Sequence, residues 1–278
     1  MKEVKEKALR LFRSRMFISG NAGYRYFRER GLTNETMSKF LLSYDDGNID
    51  FAKSIPEATT EELEAASLVT VKDNGKAYSR FWKRVIFPIW NEDGELVGFG
   101  GRRIEDSDRP KYVNSKEDED YKKNSLLYGL NFAKASEFDS FILCEGYMDV
   151  ISLHQAGYTN AIAACGTAIT DGHIEILKRY GRKIYVATDT DEAGQKAAHK
   201  TVKKLLEADI PCARITFKPC KDVDEFLQKG GDMEAVLTAA EDPEHFLFAS
   251  SSEPITTLKW LLNRKMSELD ISEVKGDV

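Results

Sequence analysis

The sequence is poor in the residues that build structural metal sites. Its 278 residues include four cysteines and four histidines. The cysteines show no CxxC pair and no other zinc-binding spacing, and the histidines are scattered over segments that predict helices. We therefore expect buried, reduced thiols in a reducing cytoplasm and no metal role for the histidines. The cysteines are Cys144, Cys165, Cys212 and Cys220.

Long hydrophobic runs are also missing. No apolar stretch approaches the length of about 20 residues that spans a bilayer. The amino-terminal segment is charged and amphipathic, without the apolar core of a signal peptide. Hydrophobic residues make up 42% and charged residues 31% of the chain, which is typical of a globular protein of one or two domains. We expect a cytoplasmic protein with no membrane contact.

Net positive charge is a third absence. The formal net charge is -6 at pH 7, whereas tight non-specific binding of nucleic acids depends on neutralising their phosphates. This charge argues against tight non-specific binding of nucleic acids but is compatible with a local basic groove. A site for divalent cations also carries an excess of acid when its ions are left out of the count.

Three short acidic stretches lie in the second half of the chain, at residues 144–150, 189–194 and 221–225. The first two directly follow apolar runs that predict strands, and the third follows such a run after a short loop. Loops at the carboxyl ends of strands form the ligand crevice of an open α/β sheet. We therefore expect these carboxylates to gather at one edge, where their oxygens would favour Mg²⁺ or Mn²⁺. The residues alone favour a divalent-metal phosphoryl-transfer site.

From residue 138 the sequence alternates between strand and helix patterns, which implies a mainly parallel sheet with helices on both faces. Before it, short helices are predicted, including one at residues 60–66 capped by Thr60, and then a β-hairpin around the turn at residues 91–94. The tail beyond residue 231 predicts further helices. In the alternating part, strands and helices are predicted in turn at residues 140–144, 147–156, 160–165, 171–180, 183–188, 192–208, 212–217 and 224–229.

Each acid also has a purely structural interpretation. An acidic side chain at the start of a helix can cap it or interact favourably with the helix dipole. Two acids one residue apart at a strand end can instead share an ion, and two-metal phosphoryl transfer needs several carboxylates around ions about 3.5–4 Å apart. Gly194 would allow a close approach at a helix start. The acids in question are Glu145, Asp149, Asp189, Asp191, Asp222 and Asp224.

The three acidic stretches resemble the motifs of a TOPRIM domain, a fold shared by primases, topoisomerases and some nucleases. Further segments resemble the catalytic core of DnaG-type bacterial primases, and their joint presence in this order is specific. In this sequence we expect no amino-terminal zinc ribbon of that family, and a carboxyl-terminal helicase-binding domain that is absent or reduced to a few helices. The matching segments are residues 26–32, 84–89, 98–102, 110–115 and 127–130.

This resemblance implies an α/β fold with a TOPRIM-type, mainly parallel sheet and flanking helices. The implied domains are a primase-specific α+β subdomain with a basic groove at residues 1–137, a TOPRIM domain at 138–232 and a helical segment at 233–278. The implied activity is that of a DNA-directed RNA polymerase, a nucleotidyltransferase that makes short RNA primers on single-stranded DNA for replication. The expected setting is the cytoplasm of a bacterium or of a phage-infected cell.

The resemblance also implies roles for individual residues. Catalysis is expected from Glu145, Asp189 and Asp191. Two or more Mg²⁺ or Mn²⁺ ions, and no zinc, are expected at Glu145, Asp149, Asp189, Asp191, Asp222 and Asp224. Nucleotide or template binding is expected from Arg80, Arg84, Arg102, Lys111, Tyr112, Asn114, Lys123, Gly166 and Thr167.

The implied partners are a single-stranded DNA template and ribonucleoside triphosphates. A replicative helicase and a zinc-ribbon domain are further partners of the family, but their usual contact regions are missing from this sequence. Two other functions stay open. One is a TOPRIM nuclease or topoisomerase-like enzyme, of which a topoisomerase would need a nucleophilic tyrosine on a further domain. The other is an inactive core that only binds nucleic acid, against which the intact carboxylates argue.

Overall fold

The computed structural model describes residues 1–18, 20–106, 108–164, 166 and 168–268, without the side chain of Glu268. In these residues the helices are α1 Lys2–Met16, α2 Ala22–Glu29, α3 Asn34–Lys39, α4 Phe51–Ser54, α5 Thr60–Ala65, α6 Leu130–Ala133, α7 Tyr147–Gln155, α8 Asp171–Tyr180, α9 Glu192–Glu207, α10 Val223–Gln228, α11 Met233–Thr238, α12 Pro243–Ala249 and α13 Pro254–Glu268. The strands are β1 Ser43–Asp45, β2 Val69–Val71, β3 Ala77–Ser79, β4 Arg84–Trp90, β5 Leu96–Arg103, β6 Tyr112–Asn114, β7 Ser140–Cys144, β8 Ala161–Ala163, β9 Lys183–Ala187 and β10 Cys212–Arg214.

The first half of the chain is built on an antiparallel sheet with the strand order β1-β4-β5-β6. The predicted hairpin is confirmed: β4 and β5 pair across residues 91–94, where Gly94 takes the positive φ of +79° that the turn requires. Strands β1, β2, β3 and β6 were not predicted, and the residues of β6 were expected in a loop. Each is three residues long, too short to show an alternating pattern.

The second half forms a parallel sheet with the order β10-β9-β7-β8, as the strand–helix alternation predicted. Successive side chains of β7 point to opposite faces. Phe141 and Leu143 pack in one core with helices α8 and α9, while Ile142 and Cys144 pack in another with helix α7. Both faces of the sheet are therefore covered by helices.

One hydrophobic core joins the two sheets. It contains Phe27 and Phe40 from the amino-terminal helices, Phe87 from β4, and Ile142 and Tyr147 from β7 and α7. The rings of Phe87 and Tyr147 stack with centroids 4.8 Å apart and an interplanar angle of 8°. Apolar packing is continuous across the domain boundary predicted between residues 137 and 138. That boundary therefore stays a prediction.

Several details differ from the predicted elements. Thr59, and not Thr60, caps α5: its hydroxyl accepts a hydrogen bond from the Glu62 amide, and the Glu62 carboxylate accepts one from the Thr59 amide. Strand β10 ends at Arg214, three residues earlier than predicted. Cys144, Cys212 and Cys220 are buried as expected and form no disulfide bond, whereas Cys165 lies outside the described residues. In the part of the chain that is described, no helix is both long and apolar enough to cross a bilayer.

Candidate active site

The three acidic stretches meet at the carboxyl edge of the parallel sheet. Glu145 directly follows β7, and its Oε1 accepts a hydrogen bond from the amide of Asp189, at 3.0 Å. Asp189 lies just beyond β9. Thr190 then ties this loop to the third stretch, since its amide donates to the Lys221 carbonyl at 2.8 Å and its hydroxyl to the Cys220 carbonyl at 3.0 Å. The backbone itself therefore brings the carboxylates together.

A cleft of about 580 Å³ lies over this edge. The sheet side of the cleft, here called the acidic wall, consists of Glu145, Asp149, Asp189, Asp222 and Asp224. The lining residues from the amino-terminal half of the chain, here called the basic wall, are Arg30, Arg102, Lys111, Tyr112 and Asn114. Because the two walls carry opposite charge, the cleft suits a ligand that combines cations with phosphates.

Three of the acids in these loops cap helices and remain able to bind a ligand. Asp191 caps α9 by accepting from the Gly194 amide at 2.8 Å, and Asp222 caps α10 by accepting from the Glu225 amide at 2.8 Å. Asp149 accepts from the amide of Gly146 at 3.0 Å, at the start of α7. Each of these hydrogen bonds engages one carboxylate oxygen, so capping does not exclude a metal at the other.

Gly194 has the close contact that its position in the sequence suggested. A Cβ atom at this position would clash with the carbonyl oxygen of Asp189, at a distance that Cβ atoms in proteins essentially never show. Only glycine lets the first turn of α9 pack directly against the Asp189 loop.

Asp224 is held differently from the other acids. Its side chain is only 1% exposed. One carboxylate oxygen forms an ion pair with Arg30, and the other accepts a hydrogen bond from the hydroxyl of Ser152, at 2.6 Å. Both oxygens are engaged inside the protein, so Asp224 could bind a metal only by giving up one of these partners.

The acidic wall is electrostatically crowded. Burial raises the pKa of Glu145, Asp149 and Asp189, and neighbouring carboxylates raise each of these pKa values further. The ammonium of Lys221 opposes this effect at Asp189, whose Oδ2 lies 3.3 Å from Lys221 Nζ. On the basic wall, the charge of Arg102 lowers the pKa of Lys111. Like charges within each wall repel one another, so charge of the opposite sign would stabilise each wall.

The donor atoms on the acidic wall fit Mg²⁺ or Mn²⁺. In the described ranges, no three carboxylate, thiol or imidazole groups lie close enough to bind one ion. Mg²⁺ usually uses one or two protein carboxylates and completes its octahedron with water and phosphate oxygens. Glu145 and Asp189, joined by their hydrogen bond, provide such a pair.

The basic wall is held in shape by aromatic rings. The guanidinium of Arg102 lies between the rings of Tyr26 and Tyr112, at 5.2 and 5.6 Å from their centroids. The hydroxyl of Tyr147 donates to the side-chain oxygen of Asn114 at 3.0 Å. Tyr147 thus links the start of α7, on the acidic side, to β6 on the basic side.

Comparison with known proteins decides the family. The family model described as the DNA primase catalytic core, N-terminal domain matches residues 11–134, and the Toprim-like model matches residues 142–227. The DNA primase of Clostridium acetobutylicum is 42% identical over 229 residues, which are 81% of this chain and 38% of that protein. The crystal structure of a DNA primase domain from Pseudomonas aeruginosa is 31% identical, with a TM-score of 0.82, over 89% of this chain and 81% of that one.

The chain belongs to the DnaG-type primase family.

A solved DnaG primase catalytic domain bound to single-stranded DNA is also similar, at 28% identity and a TM-score of 0.81, over 94% of this chain and 90% of that one. The present chain spans about 36 to 44% of the length of four curated DNA primases that it matches. In this primase core the basic wall comes from the region matched by the first family model. The acidic wall comes from the Toprim-like region, and Arg30 of the basic wall reaches it through its ion pair with Asp224.

Two arginines expected to bind nucleotide or template are engaged inside the primase core instead. The guanidinium of Arg84, which is 5% exposed, donates to the carbonyl oxygens of Pro110, Lys111 and Gly101 at 2.7, 3.0 and 3.3 Å. Arg80 donates to the carbonyl of Asn114 at 2.8 and 3.1 Å. These arginines hold the β6 segment, which carries Lys111, against the rest of the sheet.

The remaining predicted residues fall into three groups. Arg102, Lys111, Tyr112, Asn114 and Gly166 line the cleft. Asp191 and Lys123 do not belong to its lining, although Asp191 caps the helix that starts beside it. Thr167 lies outside the described residues.

Two basic residues of the cleft were missed by the sequence interpretation. Arg30 lies within a segment that carried the family resemblance, residues 26–32, and that position was the available signal. Lys221 directly precedes Asp222 in the third acidic stretch, but nothing local distinguishes it from other surface lysines. Each forms an ion pair with an acid that is distant in the sequence, Arg30 with Asp224 and Lys221 with Asp189.

Proposed function

We propose that the cleft is the active site of a primase, which joins ribonucleotides into a short RNA primer on a single-stranded DNA template. The observation that carries this proposal is that carboxylates and the side chains of arginine and lysine line one cleft, in a chain of the DnaG-type family. The similar catalytic domain bound to single-stranded DNA supports the choice of template. The matched curated relatives are DNA primases.

The acidic wall is proposed to hold divalent ions. Glu145 and Asp189 would be the first ligands, with Asp149, Asp191 and Asp222 near enough in the fold to orient water or further ions. Bound there, Mg²⁺ or Mn²⁺ would neutralise charge on the attacking and leaving oxygens of a phosphoryl transfer. Asp224 is assigned a different task, because its contacts with Arg30 and Ser152 fix the position of α10 against α7.

The basic wall is proposed to bind the triphosphate of the incoming nucleotide. Arg102 presents a forked guanidinium suited to phosphate oxygens, and Lys111 presents a compact charge. Tyr26 and Tyr112 keep Arg102 in place by cation–π contact. Holding the triphosphate against the acidic wall aligns the α-phosphate for attack by the 3′ hydroxyl of the primer, so that pyrophosphate leaves in line.

Arg80 and Arg84 are proposed to act indirectly. They fix the backbone of residues 110–114, so that Lys111 and Tyr112 face the cleft. Lys123 is proposed to contact the template outside the cleft.

The test is a primer-synthesis assay with single-stranded DNA, labelled ribonucleotides and Mn²⁺, in which products are sized on a gel. Glu145→Gln and Asp189→Ala are each expected to lower the rate of synthesis at least about 100-fold. Mutation of residues that only hydrogen-bond to a metal ligand already lowers metal affinity or activity about 10- to 100-fold. Glu207→Gln, at the far end of α9, is the matched control and should stay active. Unfolding curves check that all variants fold.

The gel also separates the other functions. A nuclease or topoisomerase-like enzyme would shorten or relink the DNA, whereas an inactive binding core would leave both strands and nucleotides unchanged. Full synthesis by Glu145→Gln and Asp189→Ala together would refute the proposed site.

A further inference from the structure

Lys221 occupies a distinctive place in the cleft. Its ammonium lies 3.3 Å from Oδ2 of Asp189, one of the two carboxylates proposed as first metal ligands. The Asp189 side chain is 21% exposed, while that of Lys221 is 57% exposed. A cation of the protein itself therefore neutralises the acid that a divalent ion would need.

The backbone of Lys221 is anchored at both of its polar groups. Its amide donates to the Glu225 carboxylate at 2.7 Å, and its carbonyl accepts from the Thr190 amide at 2.8 Å. Its side chain, by contrast, is a flexible four-carbon stem that extends into the cleft. The ammonium can thus leave Asp189 by rotation of side-chain bonds alone, while the two acidic loops keep their relative position.

The other ion pair in the cleft has a different character. Arg30 pairs with Asp224 in a contact where the carboxylate is 1% exposed and also binds Ser152. Breaking such a pair leaves a buried charge without a partner, which is strongly unfavourable. Separating Lys221 from Asp189 costs less, because water can solvate the exposed ammonium fully and the partly exposed carboxylate in part.

We propose that Lys221 is a resident counter-ion of Asp189, which a divalent cation displaces when it binds. The inference rests on the proposed function, because it takes Asp189 as a metal ligand. In the metal-free protein, Lys221 reduces the repulsion between Asp189 and its acidic neighbours. When the metal binds, the ammonium leaves Asp189 and stays in the cleft as an additional cation on the side where phosphates are expected.

The consequence is a competition that can be measured without any reaction. Lys221 and the divalent ion compete for one carboxylate, so removing the ammonium should tighten metal binding. Exposed ion pairs contribute about 0.2–1 kcal/mol, which corresponds to a change in Kd of up to about fivefold. We expect Lys221→Met to bind Mn²⁺ about two- to fivefold more tightly than the parent protein.

The experiment titrates Mn²⁺ alone, without nucleotide and at low ionic strength, and follows free Mn²⁺ by electron paramagnetic resonance. Lys229→Met is the matched control: Lys229 is an exposed lysine just beyond α10, paired with Glu225 at 2.6 Å. It removes the same charge from the same neighbourhood without touching Asp189. We expect its effect on the Kd to be clearly smaller than that of Lys221→Met.

A double-mutant cycle identifies the shared carboxylate. With Asp189→Asn as the background, Lys221→Met should no longer tighten Mn²⁺ binding, because the competition has been removed already. In the parent background the gain should shrink as salt is added, since an exposed pair is screened. Both results together would support the displacement.

Two outcomes would overturn the inference, and they are distinguishable from failure of the proposed function. Saturable Mn²⁺ binding in the parent with an equal or weaker affinity in Lys221→Met would show that Lys221 does not compete, while the metal site stands. A gain that survives in Asp189→Asn would place the competition elsewhere. No saturable Mn²⁺ binding by the parent would instead remove the metal site itself, and the inference with it.

Discussion

Replacing Arg84 gives a direct test of whether this arginine contacts nucleic acid or supports the groove from within. Its guanidinium is buried and donates to three carbonyl oxygens, two of them in the segment that carries Lys111. Arg84→Met keeps much of the side-chain length but removes every donor. If Arg84 supports the groove, the main effect should be on stability.

The expected loss follows from the contacts. The bonds to Pro110 and Lys111, at 2.7 and 3.0 Å, have good geometry, while the bond to Gly101 at 3.3 Å is weaker. Hydrogen bonds from a charged donor contribute about 1.5–3 kcal/mol each, and water can partly replace those at the exposed edge of the sheet. We expect the free energy of unfolding to fall by about 3 kcal/mol, with only a small recovery in Arg84→Lys, since one ammonium lacks the fork of a guanidinium.

The assay pairs urea unfolding with the salt dependence of single-stranded DNA binding. Lys111→Met is the opposite control, because Lys111 lines the cleft and is proposed to contact phosphate. We expect Lys111→Met to lower the salt slope by up to about one unit at little cost in stability. Arg84→Met should show the reverse. A reduced salt slope with unchanged stability in Arg84→Met would refute the supporting role and restore Arg84 as a direct contact.

Two further predictions concern pH and packing. Burial lowers the pKa of His154 to about 4, so between that value and its ordinary pKa of about 6.5 the unfolded chain binds a proton that the folded protein does not. The free energy of unfolding, measured in urea, should therefore fall by about 2 kcal/mol from pH 7 to pH 5. His154→Gln should lose this contribution to the pH dependence. An unchanged pH dependence in His154→Gln would contradict the prediction. Gly194→Ala should push the Asp189 loop out of place, which costs about 1–3 kcal/mol of stability and weakens Mn²⁺ binding. Ala193→Ser, on the exposed side of the same turn, should do neither; parent-like Mn²⁺ affinity in Gly194→Ala would contradict the steric reasoning.

Much of the second sheet could be predicted because its strands are buried and its helices are amphipathic. The bounds of β7 and α8 agree with their patterns to the residue, since apolar runs and a capping threonine define their ends. Strand β1 could not be recognised, because a strand of three residues gives too few positions to distinguish alternation from chance. The gathering of the carboxylates was predictable from the rule that such loops meet at one edge of the sheet.

The roles of the basic residues were harder to predict for a chemical reason. A guanidinium fork fits two carbonyl oxygens as well as it fits two phosphate oxygens, so residue type alone did not reveal that Arg84 faces inward. Arg30 and Lys221 owe their significance to Asp224 and Asp189, which lie 194 and 32 positions away in the chain. Only the folded chain shows those pairings.

The core that joins the two sheets limits how this protein can move. The stacked rings of Phe87 and Tyr147 lie between β4 and α7, and Phe27 and Phe40 belong to the same cluster. A hinge that opened and closed the cleft would have to separate these buried rings, and close-packed interiors resist such gradual deformation. The two walls should therefore keep a nearly constant separation during each round of the proposed primer synthesis. Advance by one nucleotide would then be a translation of the nucleic acid through a fixed frame, with adjustment confined to mobile side chains at its surface.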